Sequence, residues 1–146
     1  MSSTRQMLCI FYGAVALIAL VATWSQNLTY FIGATASSDP LQYVFDLKAN
    51  AAARSFTVDI GLFLLAATAL MVIEARKLGV KFVWLYIIFG FIIAISVTFP
   101  LFLIAREMRL AKTETTPSEV KPATSDILGL AVTTLVVLAM CGFILF

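Results

Sequence analysis

The chain has 146 residues, of which 62% are hydrophobic and 12% charged, and its formal net charge is +2. Soluble domains carry about 25% charged residues, so a chain of this composition is expected to use lipid as part of its solvent. The small net charge, without a basic stripe interleaved with aromatics, argues against nucleic acid as a partner. The absence of histidine excludes haem or zinc ligation by that residue and histidine-based acid–base catalysis.

The hydrophobic runs predict an all-α integral membrane bundle of four transmembrane helices, with one interfacial helix between the first and the second. The first span is expected at about residues 7–24, a run without a charge that is long enough to cross a hydrocarbon core of about 30 Å. Arg5 before this run would also suit a signal peptide. Because no small-x-small cleavage site precedes Trp24, we interpret the run as a retained span.

The first span ends in the stretch WSQNLTYF, in which polar residues are enclosed by aromatics. Trp24 and Tyr30 suit an aromatic belt at the membrane interface. Alternatively, Gln26 and Asn27 line a polar pocket at one membrane face. The residues alone leave both interpretations open.

The next segment predicts an interfacial amphipathic helix at about residues 40–54, or else an N-terminal extension of the second span. Asp39 followed by Pro40 is a typical helix start, with a capping side chain and then proline at the first helical position. Apolar residues follow at helical spacing.

The second span, at about 56–74, is short. Its uncharged run covers only residues 60–73, which is about 21 Å of helix and less than the membrane core requires. At least one of the flanking carboxylates, Asp59 or Glu74, should therefore lie at or below the interface, where an ionisable group is costly and tends to face a wet or polar interior. The loop EARKLGVK is tight and basic, and predicts a helical hairpin with the third span at about 82–105.

The remaining chain predicts two further units. Residues 111–126 are rich in Thr, Pro, Glu and Lys, which is typical of a flexible linker. Residues 127–146 form the fourth span, so that residues 1–110 would be a three-span core. Cys9 and Cys141 lie in apolar runs and are interpreted as small hydrophobes rather than as a disulfide, and their spacing shows no metal pattern.

Three spans that simply alternate in direction would gather polar residues at one membrane face. Asp59 would be its centre, with Arg54 or Arg106 as its partner, and Pro100 would free a carbonyl group for neighbouring donors. The full predicted cluster is Trp24, Gln26, Asn27, Tyr30, Asn50, Arg54, Asp59, Ser96, Pro100 and Arg106.

The same topology divides the basic residues between the two sides. The side of the N-terminus, second loop and C-terminus would hold Arg5, Arg76, Lys77 and Lys81, and the other side Lys48, Arg54, Arg106, Arg109, Lys112 and Lys121. The raw count favours the second side as cytoplasmic. The dense basic second loop favours the first, and we expect the N-terminus inside, in a bacterial inner membrane.

Four segments of the sequence resemble a bacterial family of small integral membrane proteins catalogued as a domain of unknown function (DUF2834-like). They are WSQNLTYF, the Asn50 to Asp59 segment, MVIEARKLG and SVTFPLFLIAREMRL, and together they cover about residues 5–110. The resemblance implies a compact unit of membrane helices with polar positions in these places, and it implies no reaction.

Three functions fit these observations. The first is a non-enzymatic membrane protein, either an accessory subunit of a larger membrane complex or a binder of lipid or isoprenoid. The second is an isomerase or cyclase of an isoprenoid-type substrate with Asp59 or Glu74 as proton donor. The third is a small transporter, which a single polar cluster at one face disfavours. We expect no cofactor other than a bound lipid or isoprenoid. Membrane lipid is the expected partner, and a larger membrane-protein complex and a homo-oligomer are left open as further partners.

Overall fold

The computed structural model describes residues 3–32, 42–113 and 124–145, and within these ranges it is helical with no strand. The elements in chain order are α1 (Ser3–Phe31), α2 (Gln42–Asp46), α3 (Ala51–Leu78), α4 (Val83–Phe89), a π-helical segment (Gly90–Ala94), α5 (Ile95–Thr113) and α6 (Thr124–Leu145). The all-α prediction is confirmed.

Three helical stretches are long and apolar enough to cross a membrane, namely Ser3–Tyr30, Ala51–Leu78 and Val83–Lys112. They contain the first two predicted spans and all of the third except Phe82, and they give the chain the character of an integral membrane protein. Helix α6 covers most of the predicted fourth span. Its crossing of the membrane stays a prediction, as does the division into a core, a linker and a fourth span.

Both ends of α3 carry local signals that define its length. The Asn50 side chain accepts a hydrogen bond from the backbone N–H of Ala53 (2.9 Å), which satisfies a donor that the helix start leaves free. Gly79 ends the helix in the left-handed conformation (φ 67°), and its N–H bonds back to the carbonyl oxygen of Ala75. Arg76 and Lys77 in the last turn complement the negative end of the helix dipole.

The predicted helix at 40–54 differs from the observed one. Helix α2 covers only Gln42–Asp46, and Arg54 belongs to α3. The reason is the cap: Asn50 has extended backbone (φ −148°, ψ 174°), so one helix cannot continue through it. The predicted helix start at Asp39 and Pro40 lies outside the described residues.

The third stretch does not run straight. The rings of Tyr86 in α4 and Phe102 in α5 pack edge to face with centroids 5.8 Å apart, whereas 16 residues of straight helix would separate them by about 24 Å. A Cβ built on Gly90 would lie 3.1 Å from the hydroxyl oxygen of Thr98. The chain therefore folds back at the π-helical segment, and α4 lies against α5.

Helix α5 returns along α1 in the antiparallel direction. Gly13 of α1 faces Ile104 of α5: a Cβ built on Gly13 would lie 4.0 Å from the Cδ1 atom of Ile104. Glu107 lies close enough to Cys9 and Tyr12 to interact with them electrostatically. The C-terminal end of α5 thus lies beside the N-terminal half of α1.

The core lies where α3, α4 and α5 meet. Met71 and Phe102 are its largest fully buried side chains, and smaller apolar residues surround them: Leu64, Ala67, Ala75, Val80, Val83, Ile87 and Ile95. Most large apolar side chains of α1 and α3 are exposed instead, as expected for helices whose outer faces contact lipid.

Candidate functional site

A cavity of about 690 Å³ lies between the C-terminal part of α1, the N-terminal part of α3 and the π-helical segment. We call it the α1–α3 cavity. Its lining consists of Ala22, Thr23, Gln26, Asn27, Tyr43, Leu47, Thr57, Ile60, Gly61, Leu64, Gly90, Phe91, Ile93, Ala94, Ile95 and Ser96. The wall is mostly apolar, and its α1 side carries two neighbouring amides.

The polar groups of the wall differ in what they can offer a ligand. The hydroxyls of Thr23 and Thr57 donate to carbonyl oxygens of their own helices, Ala19 and Ala53, at 2.8 Å each. Among the described residues, Asn27 has no hydrogen-bond partner for its side chain, and the Gln26 amide makes only a long contact of 3.5 Å to Ser25. These two amides therefore keep donors and acceptors for another molecule.

A small network holds α2 over one end of the cavity. The Tyr30 hydroxyl donates to one oxygen of Asp46 (3.0 Å), and the Gln42 amide donates to the other (2.8 Å). The ring of Tyr30 also packs edge to face on Tyr43, with centroids 5.3 Å apart. Since Tyr43 and Leu47 line the cavity, this network fixes part of its wall.

The structure brings part of the predicted polar cluster together. Gln26, Asn27 and Ser96 line the α1–α3 cavity, and Tyr30 adjoins it through Tyr43. Trp24 is half-buried one turn before them, and its indole N–H is buried without a partner among the residues described.

The other predicted members have separate positions. Asn50 caps α3, and Arg54 donates to the carbonyl oxygen of Lys48 (3.0 Å). Asp59 is exposed and has neither an ion pair nor a hydrogen bond to any residue in the described ranges. Pro100 is buried within α5. The predicted pairing of Asp59 with Arg54 or Arg106 is therefore wrong.

Arg106 lies at the opposite end of the fold from its predicted position. Its Nε donates to Glu74 Oε2 and its Nη1 to Glu107 Oε1, both at 2.8 Å. Lys77 Nζ approaches the second oxygen of Glu74 at 3.6 Å. Glu107 is buried, with a relative exposure of 7%. The prediction failed because it assumed a straight third span, and the fold-back reverses the end at which Arg106 lies.

The fold-back collects most charges at one end of the molecule, which we call the charged end. It comprises the start of α1, the turn between α3 and α4, and the last turns of α5, and holds seven basic and two acidic side chains: Arg5, Arg76, Lys77, Lys81, Arg106, Arg109, Lys112, Glu74 and Glu107. The opposite end of the described chain carries Lys48, Arg54, Asp46 and Asp59, whose charges balance.

In residues 3–32, 42–113 and 124–145, no three His, Cys, Asp or Glu side chains are grouped as a metal site requires. The α1–α3 cavity also lacks an acidic, cysteine or histidine side chain in its lining. The α1–α3 cavity offers a ligand apolar contact area together with amide and hydroxyl groups.

Comparison with known proteins identifies the family. The chain belongs to the family described as "Protein of unknown function DUF2834", whose model matches residues 11–108. The match contains α3, α4, the π-helical segment and most of α1 and α5, so it includes the lining of the α1–α3 cavity and the Glu74–Arg106–Glu107 cluster, but not Arg5, Arg109 or Lys112 of the charged end. No curated protein and no solved structure matches the chain.

Proposed function

We propose that this member of a family without an assigned activity is a non-enzymatic membrane protein that binds the apolar chain of a lipid or isoprenoid in the α1–α3 cavity. The observation that carries the proposal is the lining, in which an apolar wall formed by three membrane-level elements ends at the amides of Gln26 and Asn27. Small-molecule sites typically combine such a wall with a few polar groups, in volumes of about 300–1,000 Å³.

The position of the cavity supports an amphiphile as the occupant. Both α1 and α3 are apolar enough to cross a membrane and expose most of their apolar side chains, so a molecule dissolved in the bilayer could enter between them. A chain in the cavity would contact Ile60, Leu64 and Ile93, and its polar group could bond to the unused amides.

Filling the cavity provides the test. Gly61 lines it, and nothing lies within 4 Å of a Cβ at that position, so Gly61→Leu should place its side chain in the space the ligand would occupy. Ala66→Leu adds a similar side chain to the exposed face of the same helix and is the matched control. Each protein is purified in mild detergent, and bound lipids are identified by native mass spectrometry and extraction.

We expect the parent and Ala66→Leu to retain the same lipid or isoprenoid and Gly61→Leu to lose it. Asn27→Leu should weaken retention, and Gln6→Leu on the exposed start of α1 should not. If Gly61→Leu retains the same molecule in the same amount as the parent, the cavity is not its binding site.

The isomerase or cyclase alternative would need a carboxylate at the cavity. Neither Asp59 nor Glu74 lines the α1–α3 cavity, and no other carboxylate of the described residues does. The accessory-subunit and transporter alternatives stay predictions, since the described residues contain no feature that selects a protein partner or a second site.

The charge distribution supports an orientation. Basic residues concentrate on the cytoplasmic side of membrane proteins, and the charged end has an excess of five positive charges. We therefore place the N-terminus, the α3–α4 turn and the end of α5 in the cytoplasm, and the opening of the α1–α3 cavity toward the other leaflet. The proposed orientation has the N-terminus on the same side as the sequence-based expectation. It rests on a fold-back of the third stretch, whereas that expectation assumed three straight spans.

A further inference from the structure

A second cavity, of about 460 Å³, lies at the turn between α3 and α4. We call it the turn cavity. Arg76, Gly79, Lys81, Phe82 and Trp84 are among its lining residues, and it shares none of them with the α1–α3 cavity. It lies at the charged end, at the other side of the membrane from the amides of α1.

Two cations of the turn cavity have no acidic partner in the described chain. Lys77 is paired with Glu74, and Arg106 occupies both Glu74 and Glu107. Arg76 and Lys81 have neither an ion pair nor a side-chain hydrogen bond within the residues described, and both are exposed. The cavity therefore has an unbalanced positive charge, which an anionic group would neutralise.

The aromatic residues of the cavity place it at the depth of lipid headgroups. Phe82 is 74% exposed and Trp84 is 56% exposed, and tryptophan is enriched at the membrane–water interface, where its amphipathic ring lies at the headgroup level. Phe82 also adopts the left-handed conformation (φ 60°), the only residue other than glycine to do so in the described ranges. Such a conformation is costly for a bulky residue and tends to occur where a ligand site or a tight turn requires it.

We infer that the turn cavity binds the phosphate of an anionic phospholipid from the leaflet at the charged end. Arg76 and Lys81 neutralise the phosphate, and Phe82 and Trp84 contact the upper part of the acyl chains. The occupant is a membrane phospholipid rather than free phosphate, because the cavity combines two cations with apolar rings at the edge of the hydrocarbon.

The experiment measures the preference for anionic lipid directly. The full chain is placed in nanodiscs of phosphatidylcholine with increasing phosphatidylglycerol, and bound lipid is counted by native mass spectrometry after release. The variants are Arg76→Gln, Lys81→Gln and their combination. Lys48→Gln at the opposite end is the control, since the hydrogen bonds of Lys48 to other described residues involve only its backbone. A separate sample in pure phosphatidylcholine receives inorganic phosphate.

Each charge removed from the turn cavity should lower the preference for phosphatidylglycerol by about fivefold, as expected for a basic residue at an anionic membrane surface. Lys48→Gln should retain the parent preference. A doubly substituted protein that prefers phosphatidylglycerol as strongly as the parent would overturn the proposal. Equal occupation by inorganic phosphate in phosphatidylcholine would overturn the assignment to a lipid, and these outcomes are independent of lipid retention in the α1–α3 cavity.

Discussion

Replacing Arg106 by alanine tests the fold-back most directly. In the structure Arg106 joins α5 to α3, because one guanidinium bonds to Glu74 of α3 and Glu107 of its own helix. The Arg106→Ala change leaves two carboxylates without their main partner, and only Lys77 remains near Glu74, at 3.6 Å.

The size of the effect follows from burial. Exposed ion pairs contribute about 0–1 kcal/mol, whereas removing one partner of a buried pair costs about 3–5 kcal/mol. The side chains of Arg106, Glu74 and Glu107 are 32%, 17% and 10% exposed, respectively, so this cluster lies between the two cases. With Lys77 still in place, we expect Arg106→Ala to lower the free energy of unfolding by about 2 kcal/mol.

Asp59→Ala is the informative comparison. Asp59 is exposed and lacks an ionic partner in the described ranges, so its loss should change the free energy of unfolding by less than about 0.5 kcal/mol. The assay is SDS-induced unfolding in mixed micelles, followed by tryptophan fluorescence. The double variant Glu74→Ala/Arg106→Ala should cost less than the sum of its single changes, since the two residues interact. Equal costs for Asp59→Ala and Arg106→Ala, or additivity of the double variant, would refute the bridge.

Four further predictions concern topology and local structure. Single cysteines at Lys81→Cys or Lys112→Cys, in a protein whose two native cysteines are replaced by serine, should both react with an impermeant maleimide from the same side of sealed vesicles. Labelling from opposite sides would mean that the third stretch crosses the membrane straight. If α6 crosses the membrane, reporter fusions should place the C-terminus opposite the N-terminus, whereas equal signals from both termini would contradict the fold-back or the crossing. Gly90→Val should lower the free energy of unfolding by about 1–3 kcal/mol, because the Cβ of the new valine would lie 3.1 Å from the buried hydroxyl oxygen of Thr98. An unchanged unfolding curve would show that the structure relaxes around this contact without cost. Asn50→Ala should cost about 1 kcal/mol through loss of the α3 cap, as measured by the same unfolding assay, and no change there would mean that water replaces the cap.

The helices could be predicted because apolar runs of this length have few alternatives in a membrane. A lipid-exposed backbone must satisfy its hydrogen bonds internally, so residues 7–24 and 82–105 were expected to be helical before any packing was considered. The position of Gln26 and Asn27 directly after such a run suggested a polar pocket as one of two interpretations, the other being an interfacial aromatic belt. Both expectations depend on local sequence only.

The partner of Arg106 could not be predicted in this way. Its position depends on whether the chain between residues 83 and 112 crosses once or folds back, and either path consists of uncharged helical residues. The only local sign is Gly90, against which Leu64, Ile95 and Thr98 pack, and a single glycine in a membrane helix is also common at an ordinary helix contact. The short apolar run of α3 was a sound reason to expect a carboxylate near the interface, but it could not decide between Asp59 and Glu74.

The fold-back also accounts for both cavities. Residues Gly90–Ser96 contribute to the wall of the α1–α3 cavity only because the π-helical segment lies at the level of Gln26 and Asn27. The same bend keeps α4 short and against α5, and leaves the α3–α4 turn with its two unpaired cations at the charged end. In a chain that crossed straight, Arg106, Arg109 and Lys112 would lie on the side of Lys48 and Arg54, and the concentration of positive charge at one end would disappear. The asymmetry of charge is thus a consequence of the reversal, whereas the antiparallel packing of α5 on α1 is a contact that requires it.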